Sequence, residues 1–232
     1  MCGRFAMIRS PAEYAAAVGA ASWPEAKPHY NLAPSQTGPV AREQPETGQR
    51  ELAGLKWGLV PHWATDTKVG YKMINARSET AASKPAFRDG VKYRRCLVAA
   101  DGWYELQVRL AVKVPTFIQR VGDGMEVVPV FFAGLWASWR PKDQPDADWL
   151  ETFTILTREA SPELQVVHDR MPVVLPERAY SAWLDRSVSV SGTAAAETLS
   201  AAVVEGFQHY PVSTLVNTPK NDRPECMAAT EA

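Results

Sequence analysis

Strand-like runs outnumber helical ones, so the sequence predicts a single α+β domain rich in β-structure. The strands do not alternate with helices at the even spacing of a doubly wound sheet. At 232 residues, 46% hydrophobic and 22% charged, the chain is long and apolar enough for one sizeable core. No internal repeat and no composition shift marks a second unit.

Ser10-Pro11-Ala12-Glu13 is a capping box with proline at the first helical position, and an alanine-rich run follows that Gly19 ends. Tyr30 to Pro34 reads as a loop with a proline stop, and Arg50 to Val60 as a strand closed by Pro61. Arg95 to Ala100 is a short apolar strand. Asp101-Gly102 then signals a hairpin turn, with Trp103 to Val108 as the returning partner. On that partner Glu105 shares a face with Trp103 and Gln107. Val114 to Val121 and Glu126 to Trp139 continue the meander through Gly122-Asp123-Gly124, and Glu151 to Thr157 is a further strand.

Ser161-Pro162-Glu163 opens a short helix ending near His168, ahead of a strand from Met171 to Leu175. Helices are expected around Glu177 to Leu184 and Ala194 to Val204, then an extended segment from Phe207 to Val216. The domain is expected over residues 1–224, with 225–232 as a frayed tail.

There is no run of eighteen apolar residues, and Met1-Cys2-Gly3-Arg4-Phe5 lacks a basic-then-apolar signal pattern. A cytoplasmic protein without membrane partners is expected. Three cysteines without a C-x-x-C spacing argue against a disulfide framework and against a structural zinc site. The net charge of -1 hides an asymmetry, because Lys68 to Arg95 holds eight basic residues against two acids. Such a stretch suits either a solvated face or a nucleic-acid contact. P-loop, dinucleotide, zincin and nucleophile-elbow motifs are missing, so nucleotide hydrolysis and dinucleotide redox chemistry have no support.

Cys2 carries the most unusual chemistry. Aminopeptidases remove Met1 when the second residue is small, which leaves a 1,2-aminothiol. An α-amine has a pKa of about 7.7 to 8.0 against about 10.4 for lysine, so far more of it is neutral and able to form an imine at pH 7. The adjacent thiol can then close a five-membered thiazolidine. Activated by a histidine, the same thiol would instead be a hydrolase nucleophile. His168, at the end of its expected helix, would be favoured as a cation by the helix dipole. Glu105 is a candidate general acid or base, Asn75 can hold a reacting group, and Arg77 offers a phosphate fork. Trp57 and Trp63, flanking His62, could stack on unpaired bases.

These segments together resemble the SOS-response-associated peptidase (SRAP) domain family of abasic-site processing proteins, from Met1 to about Pro224. The resemblance rests on Met1-Cys2-Gly3-Arg4-Phe5, Tyr30-Asn31-Leu32-Ala33-Pro34, Trp57-Gly58-Leu59-Val60-Pro61 and Asn75-Ala76-Arg77-Ser78-Glu79-Thr80. Arg95 to Glu105, Phe132 to Trp136, His168-Asp169-Arg170-Met171-Pro172 and Tyr210-Pro211-Val212-Ser213 with Val216-Asn217 complete it. It implies a barrel-like, mostly antiparallel β core with peripheral helices and a positively charged single-strand groove. It implies that Cys2 crosslinks the aldehyde of an abasic site as a stable thiazolidine, with Asn75, Glu105 and His168 completing the catalytic set. Arg4, Asn31, Trp63, Arg77 and Arg170 would contact DNA. No metal and no cofactor is called for, and a monomer that joins the nucleoid when on DNA is expected.

Two departures stand out. Leu106 follows the glutamate where many relatives have tryptophan, and a single Trp63 stands where some relatives have a pair. Two other functions compete: a Cys2-dependent thiol (auto)peptidase, and a non-covalent single-strand binder.

Overall fold

Every residue from Arg95 to Ala100 is buried, so this strand has no solvent face and reads as a continuous apolar run. The computed structural model, which describes residues 2–20, 26–44, 46–186, 192–201 and 204–230, shows what covers it. The strands are β1 (Phe5–Met7), β2 (His29–Leu32), β3 (Thr37–Glu43), β4 (Arg50–Trp57), β5 (Asn75–Arg77), β6 (Arg95–Ala100) and β7 (Gly102–Arg109). They continue as β8 (Val112–Val121), β9 (Val127–Val128), β10 (Val130–Trp139), β11 (Leu150–Glu159), β12 (Arg170–Pro172) and β13 (Phe207–Pro211). The helices are α1 (Pro11–Val18), α2 (Ser78–Ala81), α3 (Arg88–Tyr93), α4 (Tyr180–Leu184) and α5 (Gly192–Ser200).

β10 pairs with β6, β6 with β3, β3 with β4 and β4 with β11, and β11 returns to β10, which closes a five-stranded barrel. Of these contacts only β4 with β11 is parallel. Period-two alternation splits β6 between two cores. Cys96, Val98 and Ala100 pack with Phe132, Phe153 and Ile155, whereas Leu97 and Ala99 join a cluster with Tyr14 of α1, Val91 of α3 and Trp183 of α4. Peripheral helices thus cover the second face of the strand. A second sheet, ordered β13-β8-β7-β1-β2 with β9 beside β8, carries the N-terminus.

The capping box forms as read. Ser10 Oγ accepts from Glu13 N at 3.4 Å, Glu13 Oε2 accepts from Ser10 N at 2.9 Å, and Gly19 closes the helix in the left-handed region at φ 63°. Tyr30 to Leu32 is not loop but part of β2, because β1 supplies an antiparallel partner. The hairpin expected at Asp101-Gly102 does not form. There the chain crosses from the barrel to the second sheet, so β6 and β7 never pair. Asp101 serves the crossing: its carboxylate accepts from Ile8 N at 2.6 Å, from Arg9 Nε at 2.8 Å and from the Tyr14 hydroxyl. The meander breaks likewise after β9, where β10 rejoins the barrel.

The segment after Ser161 is a run of turns and not a helix. Its backbone bonds are isolated, Leu164 N and Gln165 N donating to Ser161 O and Val167 N and His168 N to Leu164 O, and Gln107 Nε2 donates to the Val166 carbonyl at 2.8 Å. Glu177 to Ala179 is a 3-10 turn ahead of α4, and α5 ends at Ser200; residues 202–203 of the expected helix lie outside the described residues. The tail is not frayed as far as Thr230. Cys226 is buried, Val212 bridges Ala229, and Thr230 N donates to Pro211 O at 2.9 Å. Residues 231–232 lie outside the described residues.

Gly102 sits where the two sheets meet. A Cβ there would stand 2.4 Å from Ile118 O and 2.5 Å from Phe117 Cζ. Gly102→Ala is therefore expected to destabilise the fold by about 2–3 kcal/mol through backbone displacement. Urea unfolding checks this, and a loss below about 0.5 kcal/mol would show that β7 and β8 part easily there.

Candidate active site

The N-terminal segment is held as an inner strand of the second sheet. β1 lies between β2 and β7, with Phe5 opposite both Leu32 and Trp103, and Tyr104 N donates to Arg4 O at 3.0 Å. This register sets Cys2 and Arg4 beside the part of β7 that carries Glu105. A cleft of about 870 Å³ opens here, lined by Gly3, Arg4, Glu105 and Leu106 on one side and Gln165 to His168 on the other.

Cys2 is fully buried. Burial, and after it the negative charge of Glu105, push its thiol well above the ordinary range. Asn75 arrives on β5, paired in parallel with β11, and its Nδ2 donates to Cys2 O at 2.6 Å. Its Oδ1 is buried and has no partner among the described residues, so an acceptor is left beside the start of the chain. Trp57 Nε1 donates to Ile74 O at 2.8 Å and fixes the approach of that segment.

Glu105 points inward on β7, between buried Tyr104 and exposed Leu106, and is 5% exposed. Burial pushes its carboxyl up to about 7, and Asp169 adds to the rise. His168 ends the turn segment across the cleft. Its Nδ1 accepts from Arg170 N at 2.9 Å in the neutral ring, and lies 2.6 Å from Asp169 Oδ1, which would favour the cation. Burial lowers its pKa, against the expectation of a helix-stabilised cation, because no helix ends there and the ring is partly desolvated.

Arg4, Glu105 and His168 line one cleft, with Cys2 buried beside it and half-buried Asn75 bonded to Cys2. The other expected contacts scatter. Asn31 is not a DNA contact: it is 0% exposed, and its Nδ2 donates to Val216 O, Thr218 O and Asn221 O at 2.8–3.2 Å. Arg170 is a strut, forked onto both oxygens of Glu79 and donating to Thr157 O at 2.7 Å. Arg77 and Trp63 are exposed, the latter 44%, and neither lines the cleft. Trp57 is a core residue stacked on Phe153, with no face for a base.

Arg95, counted in the basic stretch, is buried and spends its guanidinium on the carbonyls of Val91, Lys92, Trp183 and Asp185. Lys113 and Asn217 also line the cleft; Asn217 belongs to a segment that carries the resemblance, whereas Lys113 had no local signal and arrives through the β7–β8 pairing.

Asn31→Ala should take the side-chain donor from the carbonyls of Thr218 and Asn221, leave Val216 O with Arg4 alone, and destabilise by about 2–4 kcal/mol. Thermal unfolding checks this; a near-neutral effect would mean that those carbonyls find water.

The family described as SOS response associated peptidase (SRAP) matches residues 1–219. The chain belongs to the SRAP family. It is 35% identical to the abasic site processing protein YoqW of Bacillus subtilis over 97% of this chain and 98% of that one. It is 31% identical to the abasic site processing protein HMCES of Xenopus tropicalis, over 99% of this chain and 78% of the relative. A phage-related protein of Bordetella bronchiseptica superposes with a TM-score of 0.70 at 32% identity, covering 91% of this chain and 94% of that one. A protein of Bacteroides thetaiotaomicron shares the fold at TM-score 0.82 and 24% identity, covering 99% and 100%. The Cys2 cleft thus sits within the segment that defines this SRAP chain. No helix among the described residues is long and apolar enough to cross a membrane, and none of their His, Cys, Asp and Glu side chains cluster in threes that could hold a metal.

Proposed function

We propose that this SRAP protein captures abasic sites in single-stranded DNA by forming a thiazolidine crosslink through Cys2 after Met1 is removed. One observation carries the reading: a buried cysteine at the start of the chain, gripped by Asn75 and flanked by a Glu105 poised near neutrality. The relatives' shared name, abasic site processing protein, supports the substrate class.

In this chemistry the Cys2 amine adds to the aldehyde carbon of the ring-opened sugar to give a carbinolamine. Protonation by Glu105 lets the hydroxyl leave as water, which yields an imine. The thiol then adds to the imine carbon, its proton passes to nitrogen, and the ring closes; one water is lost overall. Asn75 Oδ1 orients the amine. His168 contacts the lesion, Arg4 and Arg77 hold phosphates, and Trp63 stacks on an unpaired base. The raised thiol weighs against a peptidase that rests as a thiolate.

An oligonucleotide bearing an abasic site is expected to give a heat-stable, protein-sized shift on a denaturing gel, while the undamaged strand gives none. An equal shift with undamaged DNA, or no shift with the chain beginning at Cys2, would overturn the reading.

A further inference from the structure

Arg4 is a cation in an uncharged cradle. Its guanidinium lines the cleft, it is held partly out of water, and no carboxylate of the described residues lies within ion-pair distance. Its Nη1 spends both hydrogens, donating to Asn31 Oδ1 at 3.1 Å and Val216 O at 2.7 Å. Nε and Nη2 have no acceptor among the described residues, so three donors in a fixed plane remain for an anion.

Both acceptors belong to one knot. Asn31 Nδ2 holds the carbonyls of Val216, Thr218 and Asn221, while Asp222 Oδ1 accepts from Tyr30 N at 2.6 Å and Asn31 N at 3.0 Å. Asp222 Oδ2 lies 2.7 Å from His29 Nδ1. Beyond it Cys226 is buried, with Sγ 3.3 Å from Asn221 O. The residues from 220 onward lie past the family match, yet Asn221 and Asp222 set the position of Asn31.

We propose that residues 216–226 form a positioning strap, with Asp222 of the strap and Asn31 of β2 as positioning residues, that fixes Arg4 so its open edge meets a DNA phosphate. The inference rests on the proposed DNA function but not on the crosslink. A freely rotating Arg4 would have to be ordered as the strand binds; the strap orders it beforehand. Asp222 touches no DNA in this scheme and acts only through Asn31 and Arg4.

The test measures non-covalent binding of a single strand carrying a tetrahydrofuran abasic analogue, which has no aldehyde, across a range of salt. Arg4→Ala is expected to weaken binding about 10-fold and flatten the salt slope by about 0.7, the loss of one phosphate contact. Asp222→Ala should do the same in smaller measure, and the double variant should bind no more weakly than Arg4→Ala alone. Asp222→Asn keeps an oxygen for both amides and should restore binding and slope. Should Asp222→Ala fail to fold, Asp222→Ser is measured in its place.

A purely structural Asp222 would lower the melting temperature and leave the slope untouched; that result, or additive losses in the double variant, overturns the strap. An unchanged slope in Arg4→Ala overturns it too. Normal binding and slopes without any adduct on true abasic DNA would sink the crosslink and leave the strap standing.

Discussion

A chain with its Cys2 amine blocked by a retained preceding residue is expected to give no heat-stable adduct with abasic single-stranded DNA, a loss of at least about 100-fold against the chain beginning at Cys2. The reason is a division of labour within one residue. Only a primary amine forms the imine, and at about pKa 7.7 to 8.0 the α-amine is the one group that does so near neutrality without special tuning. The thiol alone is no substitute, because burial and Glu105 keep it protonated. Cys2→Ser separates the two steps further. It keeps the amine but offers an oxygen that closes the ring poorly, so the product should become labile to heat and trappable by borohydride. Intact-mass analysis and denaturing gels read both outcomes. A full yield of adduct from the blocked chain would show that sulfur alone attacks, and would revive the thiol chemistry of a peptidase.

Glu105→Gln is expected to slow adduct formation about 100-fold at pH 7 and to flatten its pH profile. In the native chain the carboxyl sits near 7, so at neutral pH both the form that accepts a proton and the form that donates one are populated. Glutamine keeps the shape and supplies neither. The same raised value leaves a mark on stability. Between the ordinary 4.5 and about 7 the folded chain keeps a proton that the unfolded chain has lost, so stability falls as pH rises through that window. The fall is about 3 kcal/mol at most. Glu105→Gln should remove it and be the more stable protein above pH 7. Denaturant unfolding at pH 5 and pH 8 reads this directly; equal pH dependence in both proteins would show that Glu105 titrates normally, and would withdraw its role as proton carrier.

Those expectations lean on residues that were legible in the sequence to different degrees. The capping box at Ser10 and the apolar run Arg95 to Ala100 are local signals, and they appear in the fold where they were read. Glu105 was legible through period-two alternation alone, since its face is shared with Trp103 and Gln107. The hairpin at Asp101-Gly102 misled because turn chemistry reports a local reversal and not the sheet that receives the next strand. Asp101 is there for its carboxylate, which binds the β1–α1 corner. His168 misled for a related reason: the cap-then-proline signal at Ser161-Pro162 starts a turn, but the backbone bonds fall only on the Ser161 and Leu164 carbonyls and do not run on into a helix.

Asn31, Arg95 and Arg170 show a further limit. Each is a polar or charged side chain that composition assigns to the surface or to DNA, yet each is committed to partners many residues away. Desolvating such a group is tolerable only when its hydrogen bonds are met, and a sequence does not print who meets them.

By itself the sequence determined the fold class, the β-rich core and the capped first helix, because propensity and periodicity are local properties. The tertiary structure decided which strands close the barrel, that Asn75 of β5 meets the Cys2 carbonyl, and that burial lifts Glu105 towards neutrality. It also turned Asn31 from a DNA contact into the knot behind Arg4. These depend on pairing and desolvation between segments up to 212 residues apart, as Arg4 and Val216 are. Such quantities exist only once the chain has folded.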